Sequence, residues 1–271
     1  MYNPLASQYW SLIEGQTRLK NRYKQLIEIV FPEFNVLFDD LYNDLALNFI
    51  HDFPHPDLFI NRRIDYLMNY LKEQNGTTQA FRFKNKVLKM KNIACNSLCY
   101  VTFDSYQVQN LVQTIEMIQY HKSEINKIKE QLIKELKDTK LFKIINSIPG
   151  FGEFSTALFL AEVGDITRFD DKYQFISFIG IDSVTSQSGV SIYHGPISKT
   201  GCKFGRTILF NIVTTIIQIS AHSNQTNHIY LFFRKKQSEG KHHYKCIIAC
   251  ETKLCKIIYK LCTSDCIYMN K

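Results

Sequence analysis

Between residues 105 and 140 the apolar positions Leu111, Ile115, Ile118, Ile125, Ile128, Leu132 and Leu136 fall near a period of about 3.5 residues, with Lys and Glu abundant between them. Only a long helix gathers such positions onto one seam, so this stretch reads as a helical coiled-coil arm. Lys122 interrupts the seam where an apolar residue is expected. Such a residue either helps to set register or marks a short pairing with the N-terminal helix. A hairpin within the chain and a dimer interface both fit, and a role in dimerisation is favoured.

Helical spacing continues elsewhere. In 8–31, Leu12, Leu19, Tyr23, Leu26 and Val30 share one face, and Pro32 closes the helix. Further helices are expected at about 36–50, 57–74 and 78–98, with Asn75-Gly76 as a break. After 140 glycines and short polar motifs punctuate the pattern, placing helices at 139–146, 153–163, 171–179, 203–221, 226–237 and 242–262 and a loop at 180–201. No stretch alternates strongly enough to claim a sheet, so the fold class is mainly α. The expected organisation is a helical linker and coiled-coil region over 1–140, a helical domain over 141–262 and a tail over 263–271.

With 45% hydrophobic and 21% charged residues among 271, the chain has the balance of a globular protein with a sizeable core. No segment reaches the ~18 unbroken apolar residues of a membrane span. Met1-Tyr2-Asn3-Pro4 also lacks the basic-then-apolar plan of a signal peptide, so a cytoplasmic protein with no membrane partner is expected. The eight cysteines sit in apolar, helical stretches and read as reduced thiols. Cys246 and Cys250 stand near His242 and His243, but their Cys-x3-Cys spacing has no second pair, so no metal site is expected in this chain.

The net charge of +8 is unevenly placed. Residues 186–262 carry eleven basic side chains and two acidic ones, Glu239 and Glu251, whereas residues 1–185 are close to neutral. A field of that sign draws polyanions, although a solvated basic face has the same composition.

Three motifs carry candidate chemistry. In Ile148-Pro149-Gly150-Phe151-Gly152, between two apolar helices, Pro149, Gly150 and Gly152 resemble a helix-hairpin-helix turn. Its backbone can approach a phosphate and its free N–H groups face the anion, though a plain Gly-rich turn looks the same. In Gly164-Asp165-Ile166-Thr167-Arg168-Phe169 and the helix after it, Asp165, Asp170, Asp171 and Asp182 are near in sequence. Asp170 is expected to cap the next helix and Asp165 to hold the turn, with Phe169 and Phe178 packing inside. The third motif is the loop Ser183-Val184-Thr185-Ser186-Gln187-Ser188-Gly189, then Ser198-Lys199-Thr200-Gly201, then Lys203 and Arg206. Serine hydroxyls near Lys199, Lys203 and Arg206 suit attack on a phosphodiester, but chemistry alone does not choose among the four serines.

The order of these pieces, a Pro-Gly-x-Gly hairpin, Gly-Asp-x-x-x-Phe, Gly180-Ile181, Gln187-Ser188-Gly189, Ile197-Ser198-Lys199-x-Gly201, a basic helix start and Glu239-Gly240-Lys241, resembles the C-terminal transposase domain of the insertion-sequence one-ten family. The resemblance implies that Ser188 is the attacking nucleophile. It also implies that Gln187, Gly189 and Lys241 join Pro149, Gly150, Gly152, Lys199, Lys203 and Arg206 at the DNA. Members of this family are DNA recombinases guided by a structured RNA. They pair this domain with an N-terminal resolvase-like domain of ribonuclease-H fold, whose four acidic residues hold magnesium. Arg18 through Glu33 resembles the linker after that domain, so the chain is expected to begin past it. Thr200 and Cys202 depart from the usual basic residue and Asn, and Gly205 costs about 1 kcal/mol of helix propensity where an apolar helix former is usual.

The resemblance thus implies a truncated DNA transposase acting on double-stranded DNA of element ends and target. It would take acidic residues and Mg2+ from another polypeptide, with a structured guide RNA as a further partner. It would act as a homo-oligomer or with full-length transposase. The rival is a non-catalytic DNA- or RNA-binding remnant that pairs with an intact enzyme and inhibits it.

Overall fold

A computed structural model describes residues 4–76, 79–97, 99–188, 191–222 and 227–269, with residues 183–188 and 191–196 described by their backbone. Twelve α-helices and one β-hairpin make up the described chain, so the fold is mainly α. Two compact units divide it: Trp10–Asn126, and Met1–Tyr9 together with Lys127–Lys271.

The first unit holds most of α1 (Pro4–Val30) and α6 (Tyr106–Leu136), with α2 (Asp44–Asp52), α3 (Asp57–Ile60), α4 (Ile64–Gln74) and α5 (Lys84–Cys95) between them. Within it the seam residues Leu111, Ile115 and Ile118 are buried in one core with Tyr23, Leu26, Ile27 and Val30 of α1. The Arg22 guanidinium donates to Asn110 Oδ1 at 2.7 Å, and His121 Nδ1 lies 3.3 Å from the Leu12 carbonyl. These pairs run in opposite directions along the two helices, so α1 and α6 form an antiparallel hairpin inside the chain. A Cβ on Gly15 would meet the His121 ring at 2.8 Å, which explains a glycine in mid-helix. Lys122, the seam interruption, turns to an ion pair with Asp44 at 2.6 Å.

The expected helix over 36–50 is shorter. Residues 32–36 form a 3-10 turn, and α2 starts only where Asn43 Oδ1 accepts the Ala46 amide at 2.7 Å. The expected helix over 57–74 is broken at 61–63 into α3 and α4, and that over 78–98 keeps regular α-geometry only in α5. Aromatic rings fill the space these turns enclose. Phe49 is fully buried and contacts the rings of Phe34, Phe38, Phe53, Phe59 and Tyr70.

The second unit contains α7 (Lys140–Asn146), α8 (Glu153–Val163), α9 (Lys172–Ile179), α10 (Lys203–His222), α11 (His228–Ser238) and α12 (His243–Thr263). α12 packs against α7, α9, α10 and α11. It does so because Cys246, Cys250, Leu254, Ile258 and Cys262 recur every four residues and, with Ile247, Glu251 and Cys255, make one broad buried face. All eight cysteines are free thiols. Burial pushes the Cys250 and Cys262 thiols up to about 12, so they stay protonated and unreactive near neutral pH. By length and apolar content α10 is long enough to cross a membrane. Its exposed positions Lys203, Thr207, Asn211, Thr215, Gln218 and His222 nonetheless form a polar stripe, opposite Ile208, Leu209, Ile212, Val213 and Ile216 in the core.

The segment 180–201, expected to be a loop, is a β-hairpin: β1 (Ser183–Ser188) pairs antiparallel with β2 (Ser191–Ile197). Its strands are short and polar, with no apolar alternation for sequence patterning to register. The register pairs Ser188 with Ser191 and Thr185 with His194. It shifts before Ser183 meets Ile197, leaving one extra residue in β2 at Gly195-Pro196.

Phe49→Ala is expected to destabilise the first unit by about 3–5 kcal/mol in urea unfolding, as for other buried aromatics cut to alanine. Tyr66→Ala, at a half-exposed site, should stay within about 0.5 kcal/mol of the parent.

Candidate functional site

α7 and α8 are joined through residues 147–152. Ile148 and Phe151 are buried there, anchoring the turn from inside. Gly150 has φ +94°, and a Cβ would lie 2.4 Å from Ile216 Cγ1 of α10, so glycine is required both by conformation and by space. Gly152 differs. It is the N-cap of α8, exposed, with open space where a Cβ would stand, so the N–H groups that open α8 are approachable from solvent. Glu153 in that first turn pairs with Lys137 at 3.0 Å.

The acidic residues of the next stretch are structural. Asp165 Oδ1 accepts from the Thr167 amide and hydroxyl at 2.9 and 2.7 Å, holding the turn that follows Gly164. The cap of α9 is Asp171, not the expected Asp170. Asp171 is the last extended residue before the helix, and its Oδ1 accepts from the Tyr173 and Gln174 amides at 2.7 and 2.8 Å. Asp170 instead accepts from Gln174 Nε2 at 3.0 Å. Phe169 and Phe178 are half-buried, and the Arg168 guanidinium lies 4.8 and 4.9 Å from their ring centres.

The hairpin rises from a tightly bonded stem. The Ser198 amide donates to the Asp182 carbonyl at 2.9 Å, the Lys199 amide to the Gly180 carbonyl at 3.2 Å, and the Cys202 amide to the Phe178 carbonyl at 2.9 Å. The Ser198 hydroxyl donates to Asp182 Oδ1 at 2.6 Å. Arg206 closes the stem from α10, with Nη1 donating to the Ile179 carbonyl at 2.7 Å and Nη2 to the Lys199 carbonyl at 3.0 Å. Gly180 and Gly201 have φ +78° and +102°, and a Cβ on either would fall 2.0 and 2.2 Å from the Thr200 and Phe178 carbonyl oxygens. Cys202 Sγ accepts the Gly205 amide at 3.2 Å, so the thiol caps α10. A Cβ on Gly205 would meet that sulfur at 2.9 Å, which accounts for the glycine.

Ser188, with Gln187 before it, lies at the tip end of β1, and Gly189 lies outside the described residues. Five residue steps of strand run from Ser183 at the stem to Ser188, roughly 17 Å at strand rise. Lys199, Lys203 and Arg206 are gathered at the stem, not beside the serine. Lys199 is exposed with φ +55°, and Lys203 stands 5.3 Å over the Phe204 ring. Lys241 pairs with Glu239 at 3.4 Å, and Lys236 pairs with the same carboxylate at 2.8 Å. Lys253 stands 4.6 Å over Phe232, beside a cavity of about 460 Å³ lined by Phe232, Ala249, Thr252, Lys253 and Lys256. Sequence reasoning singled out neither Gly180, Gly201 and Asp182 as stem residues nor Glu251. Two glycines flanking a polar loop were the available signal for the stem.

Among the described residues no group of three or more His, Cys, Asp or Glu side chains is arranged to hold a metal ion. The magnesium implied by the motif order therefore has no ligand set among them.

These observations define a mainly α domain with a glycine-hinged helical turn, a clamped polar hairpin and an excess of basic side chains. Residues 142–228 match the family model described as Transposase IS116/IS110/IS902 family. That segment belongs to this family of insertion-sequence transposases, whose substrate is DNA, and the resemblance drawn from motif order is borne out over it. The match spans the helical turn, the hairpin and α10, and stops before Glu239-Gly240-Lys241. No curated protein matches the chain closely enough to count as similar.

Glu251 faces the core of α12 at 4% exposure. Burial pushes its carboxyl up to about 7, with the positive charge of Arg206 opposing the shift. Since the folded value lies above the ordinary carboxylate value of 4.5, the native state binds this proton more tightly, and stability falls as pH rises between them. Glu251→Gln should remove a loss of about 2 kcal/mol between pH 5.5 and 8. Urea unfolding of both proteins at the two pH values measures the difference; parallel pH dependences would refute the assignment.

Proposed function

We propose that this chain is a serine-bearing DNA transposase that cleaves and transfers strands at the ends of an insertion sequence and at its target. The supporting observation is the family match over residues 142–228, which includes Gln187-Ser188-Gly189. In the proposed step the Ser188 hydroxyl attacks a backbone phosphorus. A serine Oγ–P bond forms, one P–O bond to deoxyribose breaks, the hydroxyl proton is given up, and the leaving oxygen takes up a proton. The charge that builds on the phosphorus oxygens requires neutralisation. In this proposal acidic residues and Mg2+ from another polypeptide complete the chemistry, since the donor set described above does not fit the ion.

DNA is held, on this reading, by Lys199 and Lys203 beside the stem, by Lys241 beyond it, and by the approachable α8 start at Pro149, Gly150 and Gly152, used as a helix-hairpin-helix. Gln187 and Gly189 flank the serine at the strand. The basic excess of residues 186–262 and the open backbone at Gly152 support these contacts. A structured guide RNA, a homo-oligomer or pairing with full-length transposase, and a cytoplasmic, nucleoid-associated location belong to the same proposal.

Ser188→Ala should abolish the covalent protein–DNA adduct on a suicide substrate supplied with a polypeptide carrying the acidic domain, while DNA affinity stays within about two-fold and keeps its steep salt dependence. An adduct that survives the substitution removes Ser188 as nucleophile. Salt-dependent binding with no adduct from either protein supports the non-catalytic remnant instead.

A further inference from the structure

The guanidinium of Arg206 is engaged by the protein itself. Its two terminal nitrogens bond the Ile179 and Lys199 carbonyls, which lie on opposite sides of the hairpin stem, one before β1 and one after β2. Two of its five N–H donors are thus taken by backbone carbonyls. We propose that Arg206 is a positioning residue, which closes the stem of the hairpin and so sets where its tip presents the serine. The proposal rests on the reading of Ser188 as nucleophile for its catalytic consequence, but not for the clamp itself.

Three features make the stem a device that depends on this side chain. First, a planar fork with diverging donors can reach two separate carbonyls at once, which a single ammonium on a flexible stem does not reproduce. Second, both connections at the stem pass through glycines with positive φ, and neither has room for a Cβ, so the two chain segments touch backbone to backbone. Third, the fork is carried on the first turn of α10, whose Ile208, Leu209 and Ile212 are buried in the domain core. The stem is thereby referenced to the body of the domain. Beyond the stem the ladder is polar and only two strands wide, and such a ribbon has little stability of its own. Its direction is set where it is tied.

Arg206→Lys keeps the charge and removes the fork, which separates clamping from phosphate binding. Hydrogen–deuterium exchange should accelerate ten-fold or more at the Ser198, Lys199 and Cys202 amides, the stem donors, with α12 unchanged. The salt dependence of DNA binding should be unaltered. With the acidic-domain polypeptide supplied, the rate of adduct formation at saturating DNA should fall ten-fold or more, with the half-saturating DNA concentration unchanged. Gly201→Ala forces the stem apart from its other side without touching charge, and should give the same pattern; it decides the matter if Arg206→Lys loosens α12 as well. Unchanged stem exchange in Arg206→Lys would overturn the proposal; with a salt slope reduced by about one unit in the charge-removing Arg206→Gln, it would make Arg206 a phosphate contact. Absence of an adduct from the parent protein would count against Ser188 alone, since the exchange arm still decides the clamp.

Discussion

Two hydrogen bonds from one guanidinium close the stem of the hairpin that carries Ser188. Arg206 ties the end of α9 to the return from β2. The glycines at 180 and 201 allow the backbones to approach, and Cys202 starts α10 at the same point. Each element needs the others: the fork reaches its carbonyls only because Gly205 brings the first turn of α10 against Cys202 and Ile179, where a Cβ would stand 2.9 and 3.2 Å from their atoms. A cluster of basic residues at this point is therefore partly architecture, with Lys199 and Lys203 exposed beside it.

The clamp is only as firm as the helices that carry it. α12 supplies that firmness by packing one long face against α7, α9, α10 and α11, and its Cys250 and Cys262 thiols are raised too far by burial to act as nucleophiles. The one carboxylate on that face, Glu251, is at a cost when ionised, and Arg206 is the charge that offsets part of it. Stem and core are thus linked electrostatically as well as by packing.

Periodicity located most of the helices, because apolar residues at three- and four-residue spacing face a core whatever the tertiary partners. The seam of α6 was legible and left two partners open: Leu111 to Ile118 pack on α1 in the same chain, one of those two, whereas the departure at Lys122 answers Asp44, which no local pattern reveals. The motif order pointed to the transposase family, and residues 142–228 carry that match. The hairpin escaped notice because β1 is almost wholly polar and the apolar Ile192, Tyr193 and Ile197 of β2 do not alternate along the strand. Arg206 was legible as a charge but not as a clamp, since its bonds are to carbonyls that the chain brings together only on folding. Likewise Gly205 and Cys202 look like losses against the family pattern until the cap between them is seen.

The central claim is that the polar hairpin presents Ser188, and no other serine of that segment, to DNA. Tandem mass spectrometry of the trapped protein–DNA adduct, after digestion of the DNA to a residual nucleotide, places the modification directly. The account predicts the added mass on Ser188 alone. The same mass on Ser183, Ser186, Ser191 or Ser198 would contradict it.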